Sequence, residues 1–259
     1  MIKAVIIGLG NVGTHLSRAL QQSNQVEVIQ YLNRSPISEN ELTSRIGLAS
    51  LDKFTHDFDK IKEADMYFIA VKDDAIEEVI DSIPFQQKIV AHTSGSVALS
   101  ENAKHQNAVF YPLQTFSKQR EVNFSEIPIC IEAASKKTLH VLESVANSIS
   151  NKVFYIDSIQ RKQLHLSAVF VCNFVNHLYH IGENLCTSKG IDPQILAPLI
   201  QETVAKIVDL SPQDAQTGPA LRGDQQTMKA HLEMLKDNTK LQELYQLISA
   251  SIQEHGKKL

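Results

Sequence analysis

The chain has 259 residues, 43% of them hydrophobic and 21% charged, and its 25 basic and 29 acidic residues leave a formal net charge of -4. That balance excludes a sequence-independent nucleic-acid binder, which needs a basic excess, and the hydrophobic fraction excludes a disordered chain. No apolar run approaches the roughly 18–20 residues of a membrane-spanning helix; the best, Met66 to Val71, has strand length. The N-terminus runs straight into a glycine motif with no signal-peptide pattern, and the three cysteines, Cys130, Cys172 and Cys186, form no CxxC pair, so a reduced, cytoplasmic protein is expected.

Through residue 156, short apolar runs alternate with helical spacing. Ala4–Ile7, Val26–Leu32, Met66–Val71, Lys88–Ala91, Ala108–Tyr111, Ile127–Ile131 and Val153–Ile156 read as strands. The first, third and fourth are nearly continuous in apolar residues, the pattern of parallel strands covered on both faces. Between them lie helical series such as Val12, Leu16, Ala19, Leu20 and Ile76, Val79, Ile80, Ile83. The alternation predicts an α/β domain with a doubly wound parallel sheet of Rossmann type.

From Ser158 the strand signal stops. Leu164, Ala168, Val171, Val175, Leu178 and Leu185 predict one long helix ending near Lys189-Gly190, and Asp192-Pro193 starts another in cap-then-proline order. A third follows Asp224, and a fourth carries Leu241, Leu244, Tyr245, Ile248 and Ile252. The expected organisation is a dinucleotide-binding domain over residues 1–157 and an all-α domain over 158–259.

Gly8-Leu9-Gly10-Asn11-Val12-Gly13 is a GxGxxG motif between a buried-type strand and an amphipathic helix. Gly8 permits the tight turn, Gly10 lets the backbone approach a pyrophosphate, Gly13 allows close helix–strand packing, and the helix N-terminus offers N–H groups to phosphates. An NAD site places Asp or Glu about 20 residues beyond the motif. Here stands Asn33-Arg34-Ser35, where Arg34 can pair with a 2′-phosphate and Asn33 and Ser35 can donate to its oxygens, so NADP is expected. Val71 and Lys72, at the carboxyl end of a central strand, are expected to line the nicotinamide ribose, and Asp73 and Asp74 to cap the helix that follows.

The glycine motif, Asn33-Arg34-Ser35 and the segment Asp65–Asp74 (DMYFIAVKDD) resemble the superfamily of pyrroline-5-carboxylate reductase and deazaflavin-dependent NADP reductase. His92–Ser96 (HTSGS), Tyr111–Phe116 (YPLQTF), Leu164–His177 (LHLSAVFVCNFVNH) and Thr217–Asp224 (TGPALRGD) resemble a narrower group of Rossmann-like proteins whose helical C-terminal domain has no assigned function. The resemblance spans nearly the whole chain. It implies NADP binding, a helical domain that dimerises and an active site between the domains, without naming a substrate. Hydroxyacid dehydrogenases of the wider superfamily place a Lys one helical turn before an Asn; here Val169 stands four before Asn173, and the substrate signature of pyrroline-5-carboxylate reductase is also missing.

Hydride transfer to C=O or C=N needs a proton donor beside the acceptor and groups that hold its polar substituents. His165 is the first candidate for the acid, because imidazole titrates near neutrality. Asn173, two turns further along the helix, can hold the other end of a substrate. Ser94, beyond the strand Lys88–Ala91, is a third catalytic candidate. His92, Gln114 and Arg222 are candidate substrate ligands, Arg222 through its planar fork on a carboxylate, while Asp224 reads equally well as a helix cap. The histidines have no complementary Asp, Glu or Cys set, so no metal site is expected. These residues point to an NADP(H)-dependent oxidoreductase of a small anionic substrate, acting as a homodimer without a nucleic-acid or membrane partner. Two alternatives stand beside it: an NADP-binding sensor or partner-binding protein without turnover, and a reductase of a flavin-like partner.

Overall fold

The computed structural model describes residues 1–47 and 51–256. Its strands are β1 (Ile2–Ile7), β2 (Val26–Leu32), β3 (Phe54–Thr55), β4 (Met66–Ile69), β5 (Ile89–His92), β6 (Gln106–Pro112), β7 (Ile129–Ala133) and β8 (Val153–Tyr155). They form one eight-stranded sheet in the order β3-β2-β1-β4-β5-β6-β7-β8. The first six in chain order run parallel; β7 is antiparallel to β6, and β8 is parallel to β7. The sheet therefore departs from the expected all-parallel form at its last two strands. The cause lies between β6 and β7: a parallel return needs a covering crossover, usually a helix, whereas this segment holds one 3₁₀ turn at Phe124–Glu126 and turns the chain back on itself.

The helices are α1 (Asn11–Gln21), α2 (Glu39–Ile46), α3 (Ile76–Ser82), α4 (Lys136–Asn147), α5 (Ser158–Ala168), α6 (Val175–Thr187), α7 (Ala197–Asp209), α8 (Pro219–Arg222), α9 (Gln225–Met234) and α10 (Thr239–Gly256). Alternate side chains of the central strands feed two separate cores, which is why their sequences are apolar throughout. Ala4 and Ile6 of β1 and Met66 and Phe68 of β4 pack with Leu16 and Leu20 of α1 and Leu142 and Val145 of α4. Val5, Ile7, Tyr67 and Ile69 face the other way, against Ile76 and Ile80 of α3 and the following Ile83. Asp73 and Asp74 do not cap α3. They lie in a 3₁₀ turn ahead of it, and neither that turn nor α3 carries a side-chain cap.

The chain divides into two compact units, Met1–His177 and Leu178–Leu259. Strands end before residue 158, as the sequence pattern implies, yet the first unit continues some way into the helices that follow. Asp157 opens α5 with a capping box: its carboxylate accepts from Gln160 N, and Gln160 Oε1 accepts from Asp157 N. One turn in, the fully buried Arg161 side chain pairs with Glu132 of β7 and donates to the Val97 carbonyl at 2.6 Å. Ser158 Oγ donates to Glu132 and accepts from Leu99 N at 2.9 Å. These bonds fasten the start of α5 to β7 and to the loop after β5. The long helix then passes through a π segment, Val169–Phe174, before resuming as α6, so the predicted single helix is continuous in path but not in period.

In the second unit Asp192 and Asp224 cap the turns that begin at Pro193 and Gln225. An apolar cavity of about 260 Å³ lies among Leu178, Leu185, Pro219, Leu244, Tyr245 and Ile252. Among the described residues, no helix is long and apolar enough to cross a membrane, and no group of three or more His, Cys, Asp or Glu is placed to hold a metal ion. The Arg161–Glu132 pair supplies a test of what holds α5. Glu132→Ala leaves a buried guanidinium uncompensated, so urea denaturation should show a loss of about 3–5 kcal/mol.

Candidate functional site

The sheet order reverses between β1 and β4, one branch running to β2 and β3 and the other to β5 and β6. At such a switch point the loops leaving the strand carboxyl ends splay apart and leave a crevice. The glycine loop stands there. Gly8 has φ +96°, and a Cβ at that position would lie 2.4 Å from the Ala70 carbonyl oxygen beyond β4, so only glycine makes the turn. Val71 touches the same corner, while Lys72 is exposed beside it. A Cβ on Gly13 would strike the Gly8 carbonyl, which keeps α1 close against the strand.

Gly10 is the open position: a Cβ there would meet nothing within 4 Å. It caps α1 without a side chain, so the first N–H groups of the helix, from Asn11 and Val12 onward, lack intrahelical acceptors and face a position free of side-chain bulk. This cradle fits a pyrophosphate.

Two residues brace the loop from outside. Asn33, just past β2, accepts from Leu9 N at 3.1 Å and donates to the Ser35 carbonyl at 2.9 Å. Arg45 of α2 donates to the Leu9 carbonyl at 3.0 Å and pairs with Glu41. Asn33 is thus occupied as a bracket more than offered to a phosphate, and Arg45 is a loop-holding residue that the motif alone did not disclose. Arg34 and Ser35 are exposed at the carboxyl end of β2, the place where a 2′-phosphate would lie in a fold of this kind.

The loop after β5 forms the next wall. His92 is 1% exposed; its Nε2 donates to the Ala98 carbonyl at 3.1 Å, and its Nδ1 accepts from Ser94 N at 3.2 Å. Both ring nitrogens are spent on the loop, so the expected role of His92 as a substrate ligand gives way to a structural one. Ser94 Oγ accepts from Ser96 N and Val97 N, both at 3.0 Å, which leaves only its hydrogen to donate. Gly95 lies against two rings. A Cβ there would be 2.6 Å from His165 Nδ1 and 2.8 Å from Tyr111 Cζ. Tyr111 Oη and His165 Nδ1 are 3.0 Å apart, with their rings edge to face.

His165 thus sits one helical turn beyond Arg161, half-buried, directly over the loop at the carboxyl end of β5. Tyr111, near the end of β6, is a site residue that the sequence pattern does not single out; from its loop only Gln114 reads as a candidate ligand. The position of Tyr111 at a strand carboxyl end was the available signal. Burial pushes the Tyr111 hydroxyl up to about 12, so it stays protonated at neutral pH. Gln114 is exposed, its Oε1 turned back to accept from Thr115 N. Asn173 lies exposed within the π segment, whose wider turn alters the two-turn spacing expected for it. Arg222 is exposed at the end of α8 in the second unit, and Asp224 is the cap of α9: hydrogen bonds from Thr227, with Arg222 nearby, hold its carboxyl below the usual range.

His92 gives the site a pH signature. Burial first, and the Arg161 charge second, lower its pKa from 6.5 to about 4. A pKa depressed by folding means the unfolded chain binds the proton first as pH falls. The contribution of neutral His92 is therefore complete above pH 6.5 and is lost progressively toward pH 4. Thermal unfolding across that window should show a slope that His92→Asn reduces.

Comparison with known proteins gives this geometry a family. Residues 3–94 match the family described as NADP oxidoreductase, coenzyme F420-dependent, and residues 127–252 match a domain of unknown function (DUF2520). Among solved structures, a Bacteroides fragilis protein assigned as a candidate NADP oxidoreductase is 39% identical over 98% of each chain, with a TM-score of 0.89. A Thermotoga maritima protein, 24% identical over 98% of each chain at a TM-score of 0.71, shares the fold. So does the pyrroline carboxylate reductase of Plasmodium falciparum, whose structure has NADP bound, at 13% identity, 98% of each chain and a TM-score of 0.56. None of the curated proteins compared with the chain matches it. With its glycine cradle, its cation beyond β2 and a close relative along its whole length, the chain belongs to the family of NADP oxidoreductases that join a domain of the coenzyme F420-dependent type to this C-terminal domain.

Proposed function

We propose that the chain transfers hydride between NADP(H) and a C=O or C=N group of a small, anionic substrate. The observation that carries the reading is the seating of His165 on Gly95, in the same compact unit as the glycine cradle and at the carboxyl ends of the central strands. The backbone of residues 8–13 would hold the pyrophosphate, Arg34 and Ser35 the 2′-phosphate, and Val71 and Lys72 the nicotinamide ribose. When bound, the reduced cofactor supplies a hydride. His165 then donates a proton to the substrate heteroatom, or withdraws it in the reverse direction. The Ser94 hydroxyl and the Gln114 amide serve as neutral donors to substrate, and Asn173 orients its far end.

A second reading, a flavin-like partner as hydride acceptor, draws support from the coenzyme F420-dependent description of the N-terminal match. NADPH oxidation across a panel of imines, 2-keto acids and flavins separates the two, and cofactor binding with no turnover on any member would favour a sensor instead.

The protein also acts as a dimer in this proposal. Phe154, Ile159, Phe170 and Phe174 of the first unit and Ile195, Leu199, Val208 and Leu247 of the second are each about half exposed or more, a density that isolated monomers avoid. Light scattering at micromolar concentration should give twice 28.9 kDa; a monomer argues against it.

Cofactor choice rests on Arg34. NADPH should bind at least about tenfold tighter than NADH, a gap near 1.4 kcal/mol, and Arg34→Ala should erase most of that gap while sparing NADH. Equal wild-type affinities by titration would sink the assignment. His165→Ala should lower turnover by about 10² or more with NADPH affinity intact. Unchanged turnover per folded molecule would remove His165 from the chemistry.

A further inference from the structure

His165 has two ring nitrogens, and the reaction can use only the one that faces substrate. The structure commits the other. Nδ1 points toward Gly95 and lies 3.0 Å from the Tyr111 hydroxyl, with the ring edge to face against the phenol. Gly95 makes this approach possible, since any Cβ would occupy the space of Nδ1 and of Tyr111 Cζ.

The hydrogen bond between them has a preferred direction. Imidazole nitrogen is a good acceptor, whereas a phenol is a good donor and a poor acceptor. The contact with His165 is also the one hydrogen bond of the Tyr111 hydroxyl among the described residues. If Nδ1 carried the hydrogen, the phenol hydrogen would be left without an acceptor in a half-buried position. The O–H therefore donates, Nδ1 accepts, and the ring hydrogen of neutral His165 resides on Nε2. Tyr111 is itself held in place by β6, whose register sets it opposite Cys130 of β7, and His165 by the Arg161 and Ser158 bonds one and two turns earlier.

We infer that Tyr111 is a positioning residue and proton reservoir for His165, fixing the Nε2–H tautomer and replacing the proton that leaves Nε2. This rests on the hydride-transfer reading above. In the reductive direction the hydride electron pair adds to the substrate carbon, and the C=O or C=N π pair moves onto the heteroatom. That heteroatom takes the hydrogen from His165 Nε2. The Tyr111 O–H bond breaks as its proton passes to Nδ1, which leaves a phenolate; water then protonates Nε2 and the Nδ1 proton returns to the phenolate, which restores the starting tautomer. The hydroxyl, raised to about 12 by burial, still lies well below an alkoxide in basicity, so net transfer from phenol to alkoxide runs downhill.

The test separates tautomer from turnover. In ¹⁵N-labelled wild-type protein, at a pH where the ring is neutral, the His165 signals should show a protonated Nε2 and an unprotonated Nδ1. Tyr111→Phe, which removes one oxygen and keeps the ring, should mix the two tautomers while leaving NADPH affinity unchanged. Gly95→Ala, which displaces the imidazole, should do the same. Against a substrate found in the panel, Tyr111→Phe should lower kcat by about 10²-fold with little change in KM, and a two-proton solvent isotope inventory should fall to one. A hydrogen on Nδ1 in the wild type, or an unchanged tautomer in Tyr111→Phe, overturns the inference whether or not turnover is found. If His165→Ala leaves turnover intact while the tautomer depends on Tyr111, the catalytic reading fails and the pairing is structural alone.

Discussion

One buried ion pair fixes where the first turns of α5, and with them His165, can stand. Arg161 is fully enclosed and gives its charge to Glu132, its hydrogen bonds to Val97 and Ser158, and its position to everything one turn further along the helix. A guanidinium taken out of water is tolerable only when it is paired and hydrogen-bonded, and even so its Nε has no partner among the described residues. The arrangement spends stability to gain placement. Three segments distant in sequence, the loop after β5, the end of β7 and the start of α5, meet at this pair, and Ser158 joins the same three through Leu99 N and Glu132. His165 inherits its orientation from that joint.

The same logic appears on the cofactor side. The glycine loop has almost no side chains of its own, so its shape must be imposed from outside. Asn33 holds the N–H of Leu9 and Arg45 holds its carbonyl, while β1 and Ala70 fix the turn at Gly8. A loop held at both backbone groups of one residue loses little entropy when phosphate arrives. Both halves of the candidate site thus follow one rule: the groups that meet ligands are held by residues that do not.

The sequence made the scaffold readable because burial on two faces forces continuous apolar strands, and β1, β4 and β5 could not hide. Gly8–Gly13 was legible because its spacing carries its own geometry. The reversal of β7 was not, since strand direction leaves no mark in the composition of a five-residue apolar run and is decided by the length and content of the connection before it. Glu132 follows directly on that run and Arg161 sits in an ordinary-looking first turn; neither announces its partner, because ion pairs across 29 positions have no spacing rule. His165 was found from its chemistry. His92 reads from the sequence as a substrate ligand and is instead spent on its own loop, because hydrogen-bond partners are a property of three dimensions. Tyr111 and Gly95 were visible as letters but became meaningful only once α5 was laid over them.

The wide turn at Val169–Phe174 has a consequence for the length of the chain. A π turn closes its hydrogen bonds one residue later than an α turn, so it behaves as a single-residue insertion that the helix has absorbed without breaking. Every side chain beyond it is turned by about 100° from where an uninterrupted helix would aim it. The segment therefore behaves like a spacer whose information is its residue number: removing any one residue would restore a regular α-helix and shift the phase of every side chain after it.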